Sequence, residues 1–310
     1  MSIVRTDVPM TSCLCRQTLK ELVARYPFLR IRQLGTTAFG RPLEAAIIGQ
    51  GERRVLYTAA HHANEWITAT VLLKFLEELA QAEEAGGSLY GVPARTITDA
   101  ATIFLVPMVD PDGVDLVTGA MDPESPEYAR ALALGNNYPE IPFPSGWKAN
   151  LLGVDLNLQY PAGWLLAREI KFSQGFTRPG PRDYVGRAPL NQPESRALAD
   201  FTRQIDPALV LAYHTQGGEI YWQFRDIPIP GAQALGEEFA RLSGYTLAQA
   251  PYFSSFAGFK DWFIQDFRRP GFTIEAGRGE NPLPLEQFPQ IYRENLGILV
   301  TAATGLPGGV

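Results

Sequence analysis

The chain has 310 residues, 45% of them hydrophobic, and a formal net charge of −6 at pH 7. This composition is typical of a globular protein with a substantial core and excludes a disordered or fibrous chain. The negative charge argues against nucleic acid or an anionic membrane as a partner, and no run approaches the roughly 18 apolar residues of a membrane span. The N-terminus has no apolar signal core, so we expect the protein to stay in the cytoplasm.

Apolar runs alternate with amphipathic stretches, which predicts an α/β fold with a largely buried sheet. The expected elements of the first third are a helix over 18–26, strands over 30–33, 43–48 and 55–60, a helix over 66–79 and a strand over 103–109. The expected features of the remainder are a turn over 110–113, an irregular excursion over 118–144 with a helical piece at 128–134, a helix capped by Asn191 with Pro193 in its first turn, and a last helix over 285–303.

The chain has only three histidines: His61 and His62 follow one predicted strand, and His214 follows another apolar run. His62 opens a His-x-x-Glu step that ends at Glu65, His214 follows an apolar run, and Glu275 closes another. Two imidazoles and one carboxylate form a catalytic zinc set, because three protein ligands leave a fourth position for water. A second, non-ligating glutamate can take the proton of that water. In α/β folds such residues meet at the carboxyl edge of the sheet, so the pattern predicts a zinc hydrolase.

Two further residues near this set, His61 and Asp155, can each be interpreted in two ways. His61 and His62 are adjacent and point to opposite sides of a strand end, and only His62 has a carboxylate three residues on, so we expect His61 to be a neighbour. Asp155 also follows a short apolar step. A zinc-bound imidazole normally donates its other N–H to a carboxylate, which makes Asp155 a candidate partner of His62. An Asp that caps a turn fits the same pattern equally well.

Six separated motifs together resemble a known family. They are His62–Thr68, Asp110–Gly113, Gly153–Asn157, His214, Lys260–Trp262 and Phe272–Glu275. Their order and approximate spacing are similar to those of zinc metallocarboxypeptidases of the carboxypeptidase A type, over about residues 14–303. The resemblance implies one domain over residues 1–310, with a three-layer α/β/α fold around a mixed, mostly parallel central sheet. It also implies one Zn²⁺ per chain, held by His62, Glu65 and His214, with Glu275 as the general base.

Within that family, four phrases resemble the bacterial γ-D-glutamyl-meso-diaminopimelate peptidases. They are Trp147–Asn150, Gly153–Asn157, Pro181–Tyr184 and Lys260–Gln265. This narrower resemblance implies hydrolysis of the γ-D-glutamyl bond in peptidoglycan stem peptides. The partner expected on this basis is therefore a peptide substrate.

The chain departs from the digestive members of the family at the positions that contact substrate. Lys148 stands where those members place an arginine that polarises the scissile carbonyl, and a lysine supplies that positive charge without a planar fork. Asn157 is followed by Leu158 in place of the arginine that clamps a terminal carboxylate, which disfavours simple C-terminal trimming. The mobile tyrosine of those members corresponds to Phe253, with Tyr252 adjacent, and its role stays open between the two.

The resemblance also implies that Lys260 stands at the floor of the pocket for the residue after the scissile bond. A cation there favours an acidic group, and diaminopimelate carries a second carboxylate, so we expect Lys260 and Asn157 to hold the carboxylates of diaminopimelate. A solvated lysine beside Asp261 is the simpler interpretation of Lys260. Two other functions remain open at this point. One is a carboxypeptidase for acidic C-terminal residues, and the other is a wall-peptide-binding relative without activity.

Overall fold

The structure is a computed structural model that describes residues 2–305. Its strands are β1 (Arg30–Thr36), β2 (Pro42–Ile48), β3 (Arg53–Thr58), β4 (Ser88–Leu89), β5 (Val92–Pro93), β6 (Ala101–Val106), β7 (Leu209–His214), β8 (Glu219–Tyr221), β9 (Thr246–Ala248) and β10 (Gly271–Glu275). Its helices are α1 (Ser12–Arg25), α2 (Ile67–Ala85), α3 (Ala94–Ala100), α4 (Pro111–Val117), α5 (Pro126–Gly135), α6 (Trp164–Ser173), α7 (Pro193–Ile205), α8 (Ala232–Ser243), α9 (Phe259–Phe267) and α10 (Phe288–Thr304).

Eight strands form one sheet in the order β1-β2-β6-β3-β7-β10-β8-β9, and β4 and β5 form a separate small hairpin. The four central strands, β6, β3, β7 and β10, run parallel to one another, and so do β8 and β9. The antiparallel pairs are β1 with β2, β2 with β6, and β8 with β10. The predicted mixed, mostly parallel sheet is therefore confirmed. The carboxyl ends of β3, β7 and β10 meet at one edge.

Helices cover both faces of this sheet. Along β3, Val55 and Tyr57 face a core shared with α2 and α10, whereas Leu56 faces a second core shared with α6, α7 and α9. Alternation is the expected pattern for a strand buried on both faces. The three-layer α/β/α architecture follows directly, and it fixes the central strand ends with respect to one another.

Several boundaries differ from the sequence-based expectations. Helix α1 begins six residues early, at Ser12, because Thr11 accepts a hydrogen bond from the Leu14 N–H and caps it. The expected turn after β6 is the start of α4, where Asp110 accepts from the Gly113 N–H. The cap predicted at Asn191 is wrong by one position: Gln192 occupies the cap of α7 and makes no side-chain capping bond.

The irregular excursion over 118–144 contains one helix, α5, which extends the predicted helical piece at both ends. Within residues 2–305, no helix is long and apolar enough to cross a membrane. The two cysteines are free, with Cys13 exposed and Cys15 buried.

Candidate active site

Three potential metal ligands converge at the carboxyl edge of the sheet. His62 follows β3, Glu65 lies in the short 3-10 turn after it, and His214 is the last residue of β7. The His62 Nδ1 and His214 Nδ1 atoms are 3.2 Å apart. The Glu65 carboxylate oxygens lie 2.9 Å from His62 Nδ1 and 2.8 Å from His214 Nδ1.

This donor set fits a tetrahedral metal ion. Zn–N bonds of about 2.0–2.1 Å at tetrahedral angles place two imidazole nitrogens about 3.3 Å apart, close to the 3.2 Å observed between His62 and His214. All three ligand atoms lie within 4.8 Å of one another. Two imidazoles and one carboxylate are ordinary ligands of a catalytic zinc, so the residues present are suited to the ion that the sequence predicts.

Each imidazole is oriented from behind by a polar side chain. Asp155 Oδ1 lies 3.2 Å from His62 Nε2, and the same oxygen accepts a hydrogen bond from the Asn157 N–H. Asp155 is thus both the histidine partner and the cap of a short 3-10 turn, so both interpretations of this residue describe the structure. Burial acts to raise its pKa, but the charge of His62 and the bond to it outweigh burial and hold the pKa below its usual range. The second imidazole, His214, has the amide of Asn157 3.4 Å from its Nε2.

The third histidine, His61, is fully buried, and its ring stacks on His214 with centroids 5.5 Å apart. Its position matches the prediction that it is a neighbour of the site. Burial lowers the pKa of His61 well below its usual value, which keeps this ring neutral.

Glu275 lies beside the metal ligands without joining them. It ends β10 and pairs in register with His214 on β7. Its carboxylate makes no hydrogen bond within residues 2–305, and it lines the same cleft. Burial raises the pKa of Glu275 to about 8, and the nearby charge of Glu65 adds to that effect. A dication on the three ligands would favour the ionised carboxylate, the form that can accept a proton.

Lys148 enters the site from the loop before Asp155. Its Nζ lies 3.0 Å from Glu65 Oε1, and it lines the cleft. Burial acts to lower the pKa of Lys148, but the Glu65 carboxylate outweighs burial and raises it, so the amine remains a cation. The positive charge predicted from the sequence is therefore present next to the metal ligands.

A cleft of about 660 Å³ surrounds these groups. It is lined by two of the four predicted contact residues, Asn157 and Lys260, and also by Leu158. Tyr252 and Phe253 lie at its rim, in the segment between the lining residues Pro251 and Ser254, and both rings are about 60% exposed. The choice between these two aromatic rings stays a prediction.

Lys260 is buried at the start of α9 and is not a solvated side chain. Its Nζ donates to the Gln223 carbonyl at 2.5 Å and forms an ion pair with Asp261 at 2.5 Å. The floor of this part of the cleft is thus an ion pair and not a lone cation.

A cluster of three further charged side chains also lines the cleft and was assigned no role from the sequence. This charged cluster consists of Lys171, Arg182 and Asp183. Asp183 accepts from Arg182 Nε at 2.6 Å and pairs with Lys171 Nζ at 2.6 Å. Its backbone N–H also donates to Asp155 Oδ2 at 3.3 Å. The one available signal was the Pro181–Tyr184 phrase, which the resemblance marked without a function.

Comparisons with known proteins agree with this arrangement. Residues 15–297 match the profile of the family described as zinc carboxypeptidase. Gamma-D-glutamyl-L-diamino acid endopeptidase 1 of Lysinibacillus sphaericus is 45% identical over 282 residues, which cover 91% of this chain and 69% of that protein.

Two solved structures share the fold at low sequence identity. Bovine thrombin-activatable fibrinolysis inhibitor, in complex with a tick carboxypeptidase inhibitor, is 16% identical with a TM-score of 0.73, over 96% of this chain and 97% of that chain. The murein-tripeptide amidase MpaA from Escherichia coli O157 is 19% identical with a TM-score of 0.55, over 90% of this chain and 93% of that chain.

Proposed function

Because this chain belongs to the zinc carboxypeptidase family, we propose that it hydrolyses the bond between a γ-linked D-glutamyl residue and the diamino acid after it in peptidoglycan stem peptides. The observation that supports this most is the convergence of His62, Glu65 and His214 in a cleft beside the unbonded carboxylate of Glu275. The name of the Lysinibacillus relative supports the bond and the residue class. The continuous eight-stranded sheet supports one catalytic domain over residues 1–310.

The metal would be one Zn²⁺ per chain, held by His62, Glu65 and His214. When bound there, zinc lowers the pKa of a bound water and polarises the carbonyl of the scissile bond. Asp155 fixes the ring of His62 through its Nε2, so that Nδ1 lies beside the other two ligand residues, Glu65 and His214. Asn157 lies behind His214 in the same way, while its Oδ1 accepts from the Phe259 N–H.

The remaining groups supply the proton transfer and the positive charge. Glu275 takes a proton from the attacking water at its free carboxylate oxygen and returns it to the leaving amine. Lys148 stabilises the negative charge that develops on the carbonyl oxygen. Its ammonium is already held 3.0 Å from Glu65, so little reorganisation is needed during the reaction.

The cleft also supports a diamino acid as the leaving residue. Diaminopimelate ends in a group that carries both an ammonium and a carboxylate, and the buried Lys260–Asp261 pair offers one charge to each. A purely acidic side chain would meet the Asp261 carboxylate as well as the Lys260 ammonium. This argues against the carboxypeptidase for acidic residues, as does the apolar Leu158 in place of a carboxylate clamp.

The test compares two forms of L-Ala-γ-D-Glu-diaminopimelate, with the main-chain carboxylate of diaminopimelate either free or amidated. Mass spectrometry of products formed by the zinc-loaded protein should show cleavage of the γ-D-glutamyl bond in both forms. Loss of cleavage on amidation would favour a carboxypeptidase that requires a free terminus. The variant Glu275→Gln should be inactive on both peptides, and the exposed Glu286→Gln serves as its matched control.

A further inference from the structure

Arg182 lines the cleft with a partly exposed guanidinium. Its Nε is bonded to Asp183, and its two terminal nitrogens have no hydrogen-bond partner within residues 2–305. The side chain is 42% exposed and lines the same cleft as the metal ligands. An arginine with one edge bonded and its terminal fork free is prepared for bidentate contact with a carboxylate.

The segment that carries Arg182 is held firmly against the active site. The backbone N–H groups of Lys148 and Ala149 both donate to the Pro181 carbonyl, at 2.7 and 2.9 Å. The Arg182 guanidinium lies near enough to the Lys148 ammonium for its charge to oppose the rise that Glu65 causes in the pKa of Lys148. Two neighbouring cations in one cleft favour an anionic group in the ligand between or beside them.

Asp183 sets the direction of this guanidinium. It is a buried, non-glycine residue with a φ of 63°, in the left-handed region. Such a conformation is rare for a residue with a side chain and persists only where surrounding contacts hold it. Here the contacts are Lys171 on one carboxylate oxygen, Arg182 on the other and Asp155 on the backbone N–H. Since Asp155 also contacts His62, Arg182 is connected to a metal ligand through Asp183 and then Asp155.

Arg182 and Lys260 are connected by hydrogen bonds to different metal ligands. The Arg182 side is connected to His62 through Asp183 and Asp155, whereas the Lys260 side is connected to His214 through Asn157 and Phe259, the first residue of α9. If the leaving diamino acid lies toward Lys260, the acyl part of the substrate lies toward Arg182. A cation on the acyl side has a specific partner in a γ-glutamyl substrate.

A glutamyl residue linked through its side-chain carboxyl keeps its α-carboxylate free. That anion lies on the acyl side, separated from the scissile carbonyl only by the side-chain methylenes and the Cα. An α-linked peptide carries a carboxylate at this distance only where its acyl residue is itself acidic, and its nitrogen then lies next to the scissile carbonyl. We propose that Arg182, oriented by Asp183, binds the α-carboxylate of the γ-linked D-glutamyl residue and thereby selects substrates that carry this carboxylate; this rests on the proposed function. Arg182 is thus a specificity residue, and Asp183 is a positioning residue.

The test uses L-Ala-γ-D-Glu-diaminopimelate and the analogue whose D-glutamyl α-carboxylate is a carboxamide. The zinc-loaded protein should cleave the acid about 10- to 100-fold faster in kcat/KM, the effect of one hydrogen-bonded charged contact. Arg182→Gln should bring this ratio close to one, mainly by raising KM for the acid. Arg182→Lys, which keeps the charge without the fork, should give an intermediate ratio. Arg178→Gln, at an exposed arginine outside the cleft, should keep the ratio of the unaltered protein.

The ratio is measured within each variant, so partial loss of folded enzyme cancels. Asp183→Asn should lower the ratio while zinc content stays unchanged, which a general loss of structure would not do. Equal rates on acid and amide in the unaltered protein would overturn the role of Arg182 and leave the proposed function intact. An equal fall on both substrates in Arg182→Gln would overturn it in the same way. Absence of γ-bond cleavage in either peptide would overturn the proposed function and this inference together.

Discussion

Replacing Glu194 by glutamine should remove a pH-dependent loss of stability. Glu194 lies in the first turn of α7, is 1% exposed, and accepts one hydrogen bond from Asn150 Nδ2 at 3.3 Å. Burial raises the pKa of its carboxyl from 4.5 to about 7, and the charge of Asp112 adds to this. Asp110, also fully buried, has its pKa raised well above the usual value by burial and by Glu194. The fold therefore accommodates Glu194 best as a neutral carboxylic acid.

The magnitude follows from the displaced pKa of Glu194. A rise from 4.5 to about 7 corresponds to about 3 kcal/mol, at about 1.4 kcal/mol per pKa unit. The folded protein keeps the proton up to about pH 7, whereas the unfolded chain releases it near pH 4.5. The folded state thus binds more protons between these values, and stability falls as the pH rises through that window. Glutamine cannot ionise, so Glu194→Gln should avoid this fall.

The assay is urea unfolding of both proteins from pH 5 to pH 8. The difference in unfolding free energy between them cancels the shared groups that the charge of Glu194 does not influence, and the lower pKa of Asp110 in the variant acts in the same direction. The unfolding free energy of the variant minus that of the unaltered protein should rise by about 2–3 kcal/mol from pH 5 to pH 8, with most of the rise below pH 7. Glu124→Gln, at an exposed glutamate, is the matched control and should show no such trend. A pH-independent difference for Glu194→Gln, or one of opposite sign, would refute the reasoning.

Three further predictions concern the active site. Glu275→Gln should bind zinc normally but lose at least about 100-fold in kcat, as measured by metal analysis and steady-state kinetics, and unchanged turnover would remove Glu275 from the mechanism. Asp155→Ala should weaken zinc binding about 10- to 100-fold in competition with a chelator, because His62 loses the carboxylate 3.2 Å from its Nε2, and unaltered affinity would contradict that role. Removal of metal should abolish hydrolysis and added Zn²⁺ should restore it, whereas activity that survives complete chelation would exclude a metal-dependent reaction.

The sequence predicted the centre of the fold well because burial leaves a strong pattern there. The strands before His62 and ending at His214 are continuous apolar runs, and such runs are typical of parallel strands covered on both faces. The carboxyl-edge rule then brought His62, His214 and Glu275 to one place, where the structure also has them. The last two strands of the sheet, β8 and β9, were missed, since each has only three residues.

The charged cluster of Lys171, Arg182 and Asp183 was missed for a different reason. Asp183 takes its role from a left-handed backbone and from Lys171, a residue twelve positions earlier on α6. Neither leaves a periodic pattern in the sequence. The hydrogen bond of Lys260 to the Gln223 carbonyl likewise joins residues far apart in the sequence, and its ion pair with Asp261 depends on how α9 packs. Local patterns therefore predict where the chain presents a reactive group, but not which of its charges are already paired.

The most direct test of the central claim is mass spectrometry of L-Ala-γ-D-Glu-meso-diaminopimelate after incubation with zinc-loaded protein, beside the same peptide ending in L-Lys. Our account predicts free diaminopimelate and the dipeptide L-Ala-D-Glu as products, with slower release of lysine because lysine lacks the second carboxylate that faces Lys260. Equal release of both diamino acids would keep the peptidase but discard Lys260 as a selector. Intact peptides with zinc confirmed at the site, or cleavage only between L-Ala and D-Glu, would contradict the account.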